Sequence, residues 1–161
     1  MFFISALTHK LRSFLQLPIF VKVWLLPAWL LLGIAKLLIH SVSFSRMAPH
    51  LGMHMGTAVM LPLLTPQQYA KALRIGRTVE VAARHTPWKS NCFAQAVAAR
   101  LLLGLYRIPY TLCFGLMREP VSGEIQAHAW VAAGQAAVVG QFSFDRFTVV
   151  GAFTHLPPVQ P

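Results

Sequence analysis

The chain has 161 residues, 56% of them hydrophobic and only 11% charged, with 14 Lys+Arg against 4 Asp+Glu and a formal net charge of +10. That length suits one domain able to bury a core without staples, and two cysteines, Cys92 and Cys113, provide no disulfide framework and fit a reducing, cytoplasmic compartment. The basic balance favours an acidic partner or an anionic membrane surface; without a helix-turn-helix, zinc or aromatic-basic RNA signature, nucleic acid is set aside.

In chain order, Phe3, Ile4, Leu7, Leu11, Phe14 and Leu15 recur at helical spacing with His9, Lys10, Arg12 and Ser13 between them, which predicts an amphipathic basic helix. Val23 to Ala35 is an uncharged run bounded by Lys22 and Lys36 and interrupted by Pro27. Three readings fit it: a helix packed on the domain or a partner, an interfacial membrane helix, or a true span, for which it is short. No small-residue cleavage pattern follows before Lys36 and His40, which argues against a cleaved signal peptide. His40 to Gly56 alternates at first and then adds the breakers Pro49, Gly52 and Gly56, so it reads as a connector with a short extended piece at its start. His50 and His54 are four apart but have no third ligand or nearby carboxylate, so no metal site is expected. These stretches make residues 1–64 an apolar helical region, with 65–161 carrying the chemistry.

Thr65 as N-cap, Pro66 at the first helical position and Gln68 three residues after the cap predict a capping-box helix running through Tyr69, Ala72, Leu73, Val79 and Ala82 to about His85, with Lys71, Arg74, Arg77 and Arg84 exposed. After Pro87, Ser90 or Asn91 can cap a second helix from Cys92 to Leu103, with Gly104 as its C-cap. Cys92 then lies in the first turn, where free amide N–H groups and the positive end of the helix dipole favour thiolate over thiol. Tyr110 to Met117 alternates as a strand with Thr111, Cys113 and Gly115 on one face, and Cys113 reads as packing.

Glu124 to Val131 alternates as a second strand, with Gln126, His128 and Trp130 facing one way; Gly134-Gln135 makes a two-residue hairpin turn and Ala136 to Gln141 returns. In that register His128 lies opposite Gln141, whose side-chain oxygen would accept the ring N–H and leave the other nitrogen to take the Cys92 proton. Residues 142–153 form a closing loop and a final strand, followed by a Pro-rich tail, Leu156 to Pro161. There are no repeats and no phosphate-binding Gly-rich loop, so ATP binding has no support.

The motifs Trp88-Lys89-Ser90-Asn91-Cys92, Arg107-Ile108-Pro109, Thr111-Leu112-Cys113-Phe114-Gly115-Leu116 and Ala127-His128-Ala129-Trp130-Val131, in this order and spacing, resemble the lasso peptide biosynthesis B2 proteins. These are transglutaminase-like cysteine proteases that remove the leader from a ribosomally made precursor. The similarity covers most of the chain and is strongest from about Trp88 to Phe153. It implies a Cys-His-Asp triad with Cys92 as nucleophile and His128 as base. Where the family has its carboxylate, this chain has Gly140-Gln141, and the nearest downstream carboxylate is Asp145. Gln141 orienting the histidine as a neutral amide, as in papain-like enzymes, and Asp145 reaching in are both open.

The expected fold is α+β: N-terminal helices, then a transglutaminase/papain-like core with the Cys92 helix packed on a small antiparallel sheet carrying His128. The expected reaction is peptide-bond hydrolysis through an acyl-enzyme, with backbone N–H groups at the Cys92 helix start and the Asn91 or Gln95 amide as oxyanion donors. The resemblance also implies partners: the precursor leader peptide, a separate leader-recognition protein and an ATP-using lasso cyclase, with no cofactor on this chain. A transglutaminase-like acyltransferase and a non-catalytic scaffold for precursor or cyclase are the alternatives.

Overall fold

The structure is a computed structural model that describes residues 16–141 and 143–158; the amphipathic helix expected before residue 16 lies outside the described residues. Among the described residues the α-helices are α1 (Ile19–Ser41), the single turn α2 (Phe44–Met47), continued by a 3-10 turn at Ala48–His50, α3 (Pro66–Arg84) and α4 (Cys92–Leu105). The strands are β1 (Met53–His54), β2 (Tyr110–Arg118), β3 (Ile125–Ala133), β4 (Ala136–Val139) and β5 (Thr148–His155). They form one antiparallel sheet in the order β1-β5-β2-β3-β4. The mixed helix and antiparallel-sheet architecture is the one expected.

The alternation along the strands sorts their side chains onto two faces. Tyr110, Leu112 and Phe114 from β2 and Ala129, Val131 and Ala133 from β3 meet α3 and α4 in the main core. On the reverse face Cys113, Trp130 and Ala152 make a smaller core, closed by Met55, Val59, Phe147 and Val149. Thr111 Oγ1 donates to the Met60 carbonyl and lies 3.1 Å from Thr154 Oγ1, which ties the segment after β1 onto this second face.

α3 starts as its capping box requires: Thr65 Oγ1 accepts from Gln68 N at 3.2 Å and Gln68 Oε1 accepts from Thr65 N at 3.0 Å. Arg74, Arg77 and Arg84 are exposed as expected, whereas Lys71 is half-buried with its Nζ 4.5 Å from the Tyr106 ring centroid. α4 overruns the expected stop at Gly104. Arg107 takes the left-handed conformation (φ 52), and Arg107 N–H and Ile108 N–H close on Gly104 O and Leu103 O. This is a Schellman cap with a non-glycine residue at its left-handed position, and burial of Ile108 beneath it supplies the hydrophobic contact.

The connector is more ordered than expected. Its early alternation becomes the helical turn α2, where Phe44 packs against Phe93, Phe114 and Phe153. The extended piece lies later, as β1 on the edge of β5, where His54 packs on Phe153 and shares no helix face with His50. α1 runs through Pro27 for 23 residues and is long and apolar enough to cross a membrane by length and composition. One face, Val21, Ala28, Leu32 and Ala35, is buried against α3 and α4, and Trp29 packs at a tilt on Trp88 just ahead of Cys92. The opposite face leaves Ile19, Val23, Leu26, Leu30, Ile34 and Leu37 exposed.

α3 reaches β4 most closely at Gly76, where an added Cβ would collide with the Val138 backbone carbonyl. Backbone on both sides cannot yield as a side-chain tip would. Gly76→Ala is therefore expected to lower the unfolding free energy by about 2 kcal/mol or more in urea titrations, while a Gly104→Ala control, with nothing near its Cβ, is neutral or stabilising.

Candidate active site

α4 begins at Asn91, whose Oδ1 accepts from Ala94 N at 2.9 Å while its backbone carbonyl accepts from Gln95 N. Of the two caps open in the sequence, the structure uses Asn91. Helix geometry leaves the Cys92 and Phe93 amides without intrahelical acceptors, so two N–H donors and the positive dipole end sit beside Cys92 Sγ. Ahead of the cap, Thr86 Oγ1 lies within 2.9 Å of the Ala83 and Trp88 carbonyls and of Ser90 Oγ, a tight turn that sets where the helix starts.

Cys92 is half-buried at the mouth of a cavity of about 630 Å³, which His128, Gln95, Gly140, Gln141 and Ser143 also line. The structure thus brings together on one cavity the candidate nucleophile, the candidate base, one candidate oxyanion donor and the candidate orienter. Gln95 Nε2 donates one hydrogen to the Ser90 carbonyl at 2.9 Å, which holds the amide beside the helix start and leaves its second N–H uncommitted. Asn91 is exposed outside the cavity lining and serves as the cap. Asp145 is exposed and also outside the lining, so the structure does not bring that carboxylate to the site.

The orienter differs from the sequence expectation. The hairpin turn is the expected two residues, with Ala133 opposite Ala136 and Ala132 opposite Ala137, but a bulge then shifts Val131 to pair with Val139. Past this slip the Gln141 amide no longer faces the ring as an ordinary cross-strand partner. Instead His128 Nε2 lies 2.9 Å from the Gly140 carbonyl oxygen, and Ser143 Oγ donates to the same oxygen at 3.1 Å. A carbonyl can only accept, so Nε2 carries the hydrogen and Nδ1 keeps the lone pair of a base. Glycine is needed there: Gly140 has φ 79, and a Cβ would come within 2.7 Å of Trp130 Cβ and 2.8 Å of Ala129 O. Trp130 and Phe147 flank the imidazole, with ring centroids 5.9 and 5.1 Å away.

Three charged residues in the lining were not expected at the site: Glu80 and Arg146, which carried no expectation, and Arg84, expected only as an exposed basic residue of α3. Glu80 is the one acidic side chain lining the cavity. Its position twelve residues ahead of Cys92 gave no signal, because only the packing of α3 beside α4 brings it near. Two guanidinium groups against one carboxylate leave the cavity positive in balance.

Residues 38–152 match the transglutaminase-like superfamily. No curated protein and no solved structure matches the chain.

The two cysteines are expected to behave differently. Burial on the second sheet face pushes the Cys113 thiol up to about 12, so it stays protonated and sealed at neutral pH, while Cys92 is accessible. Short iodoacetamide treatment followed by peptide mapping is expected to find label on Cys92 and none on Cys113 until the protein is unfolded; early label on Cys113 contradicts this.

Proposed function

The chain belongs to the transglutaminase-like superfamily, whose members are of the cysteine protease or acyltransferase type, and we propose that it is a cysteine peptidase that removes the leader from a ribosomally made lasso peptide precursor. The observation that carries this reading is the sharing of one cavity by Cys92 and His128, with His128 Nε2–H held on the Gly140 carbonyl. His128 Nδ1 takes the Cys92 proton, and the sulfur attacks the scissile carbonyl. The resulting oxyanion is received by the Cys92 and Phe93 amides and the free Gln95 N–H. The tetrahedral intermediate collapses as imidazolium protonates the leaving amine, and water, deprotonated by His128, releases the acyl group.

In this reading a separate leader-recognition protein delivers the precursor and an ATP-using cyclase closes the ring. An acyltransferase would pass the same thioester to an amine instead of water, and in that second reading the Glu80 carboxylate, the one acidic group in the lining, would take the amine's proton. Incubation with precursor, recognition protein and an added primary amine separates the two by product mass. The expected product is the hydrolysed leader; an amine adduct as the main product overturns the peptidase reading. Cys92→Ala and His128→Ala are each expected to abolish cleavage with circular dichroism unchanged. Asp145→Asn is expected to leave kcat within about two-fold, because a group remote from the reacting atoms contributes little to their transition state.

We also propose that the protein works in a reducing compartment with α1 lying in the surface of an anionic membrane. The packed face of α1 would have to leave the domain for the helix to span, whereas the exposed stripe of Val23, Leu26, Leu30 and Leu37 is free to enter the interface, with Lys22 and Lys36 on the same helix near its ends. Flotation with phosphatidylglycerol vesicles is expected to carry the protein, and a Leu26→Glu/Leu30→Glu double variant is expected to lose most of that binding. Equal binding by both proteins overturns the interfacial reading.

A further inference from the structure

A second cavity, of about 360 Å³, opens towards the other end of α4, where Arg100, His50, Tyr110 and His155 line it together with Gly52 and Gly104. Arg100 and His155 are half-buried. Arg100 Nε is buried without a hydrogen-bond partner among the described residues. Its Nη1 reaches Tyr110 Oη only at a long 3.4 Å, and the phenol hydrogen is committed elsewhere, donated to the Leu51 carbonyl at 3.1 Å. His155 stacks on the Tyr110 ring with centroids 5.3 Å apart and planes at 26°.

Charge bookkeeping makes this arrangement incomplete. A donor withdrawn from water needs an acceptor, and here the buried Nε–H has none among the described residues while Nη1 has one distant neutral oxygen. The chain has four acidic residues, and none lines this cavity: Glu80 faces the catalytic one, Glu119 and Glu124 bracket the β2–β3 turn, and Asp145 lies in the loop before β5. Among the described residues no acidic side chain therefore supplies a negative charge to this cavity.

We propose that this cavity is an anion-binding site for a single carboxylate or phosphate group. The vacant Nε–H and an Nη–H of Arg100 form the planar two-hydrogen fork that suits either group, and the His50 and His155 rings supply further donors. Arg100 follows Cys92 by eight residues on α4, which places the two about 12 Å apart along the helix axis. An anion held here leaves the nucleophile open. The site is independent of the peptidase reading and stands if that reading fails.

The test uses the full chain and calorimetric titration with two probes at matched ionic strength: inorganic phosphate and an N-acetylated, C-amidated Glu-Glu dipeptide. At least one is expected to bind, and Arg100→Gln is expected to weaken it about ten-fold or more, equivalent to about 1.4 kcal/mol. Arg100→Lys should fall between, because it keeps the charge and loses the fork. Binding by the dipeptide assigns the site to side-chain carboxylates of an acidic polypeptide, and binding by phosphate alone assigns it to free phosphate. Unchanged Cys92 alkylation in Arg100→Gln shows that the variant is folded; if it does not fold, His155→Phe, which keeps the ring stack, is expected to weaken the same probe several-fold. No binding by either probe, or equal affinity in wild type and the folded variant, overturns the proposal.

Discussion

The chemistry available to His128 is set by the Gly140 carbonyl, because this oxygen decides which ring nitrogen holds the hydrogen and which keeps its lone pair. The carbonyl is itself placed by a steric constraint. Its residue must turn at φ 79 directly against Ala129 O and buried Trp130, and only a residue without a Cβ fits. Ser143 donates to the same oxygen and so ties the chain just beyond β4 to it. A neutral carbonyl orients imidazole well but stabilises imidazolium less than a carboxylate would, since hydrogen bonds to charged acceptors are roughly twice as strong.

The rest of the fold serves to bring one helix end to this histidine. Small residues Ala94, Ala96, Ala98 and Ala99 let α4 approach its neighbours closely, and they are buried almost completely. Gly76 does the same for α3 against β4. α1 supports the arrangement from outside by packing Trp29 on Trp88, and the Trp29 Nε1–H donates to the His85 carbonyl at 3.3 Å, so both ends of the turn before Cys92 are held. The reverse face of the sheet adds Cys113 and Trp130, and Gly115 lies under Trp130 and Phe147 where a Cβ would collide. On this face Trp130 and Phe147 hold the His128 ring.

Charge is distributed unevenly over this scaffold. With 14 Lys+Arg and 4 Asp+Glu, most cations cannot find an internal partner. On solvated faces such as Arg74 and Arg77 this costs little, because water compensates them. At Arg100 it matters, because Nε is out of water. α4 therefore carries the candidate nucleophile at its start and a cation with a buried, unpartnered N–H two turns later.

Local signals were sufficient wherever the determining interaction lies within a few residues. The Thr65–Gln68 capping box, a cap at Ser90 or Asn91 that puts Cys92 in the first turn, the two-residue turn at Gly134-Gln135 and the two faces of β2 and β3 are all legible in the sequence, because caps, turns and strand alternation depend on near neighbours. Tertiary structure decided the rest. The bulge at Val131 and Ala132 moved Gln141 out of register and put a backbone oxygen in its place, and no side-chain pattern encodes a backbone acceptor. α4 ends beyond Gly104 because burial of Ile108 stabilises a left-handed arginine at 107. Glu80, Arg84 and Arg146 reach the Cys92 cavity, and His50 and His155 reach Arg100, only through the packing of elements far apart in the chain. Spacing along a sequence carries no information about such contacts until the core that brings them together has formed.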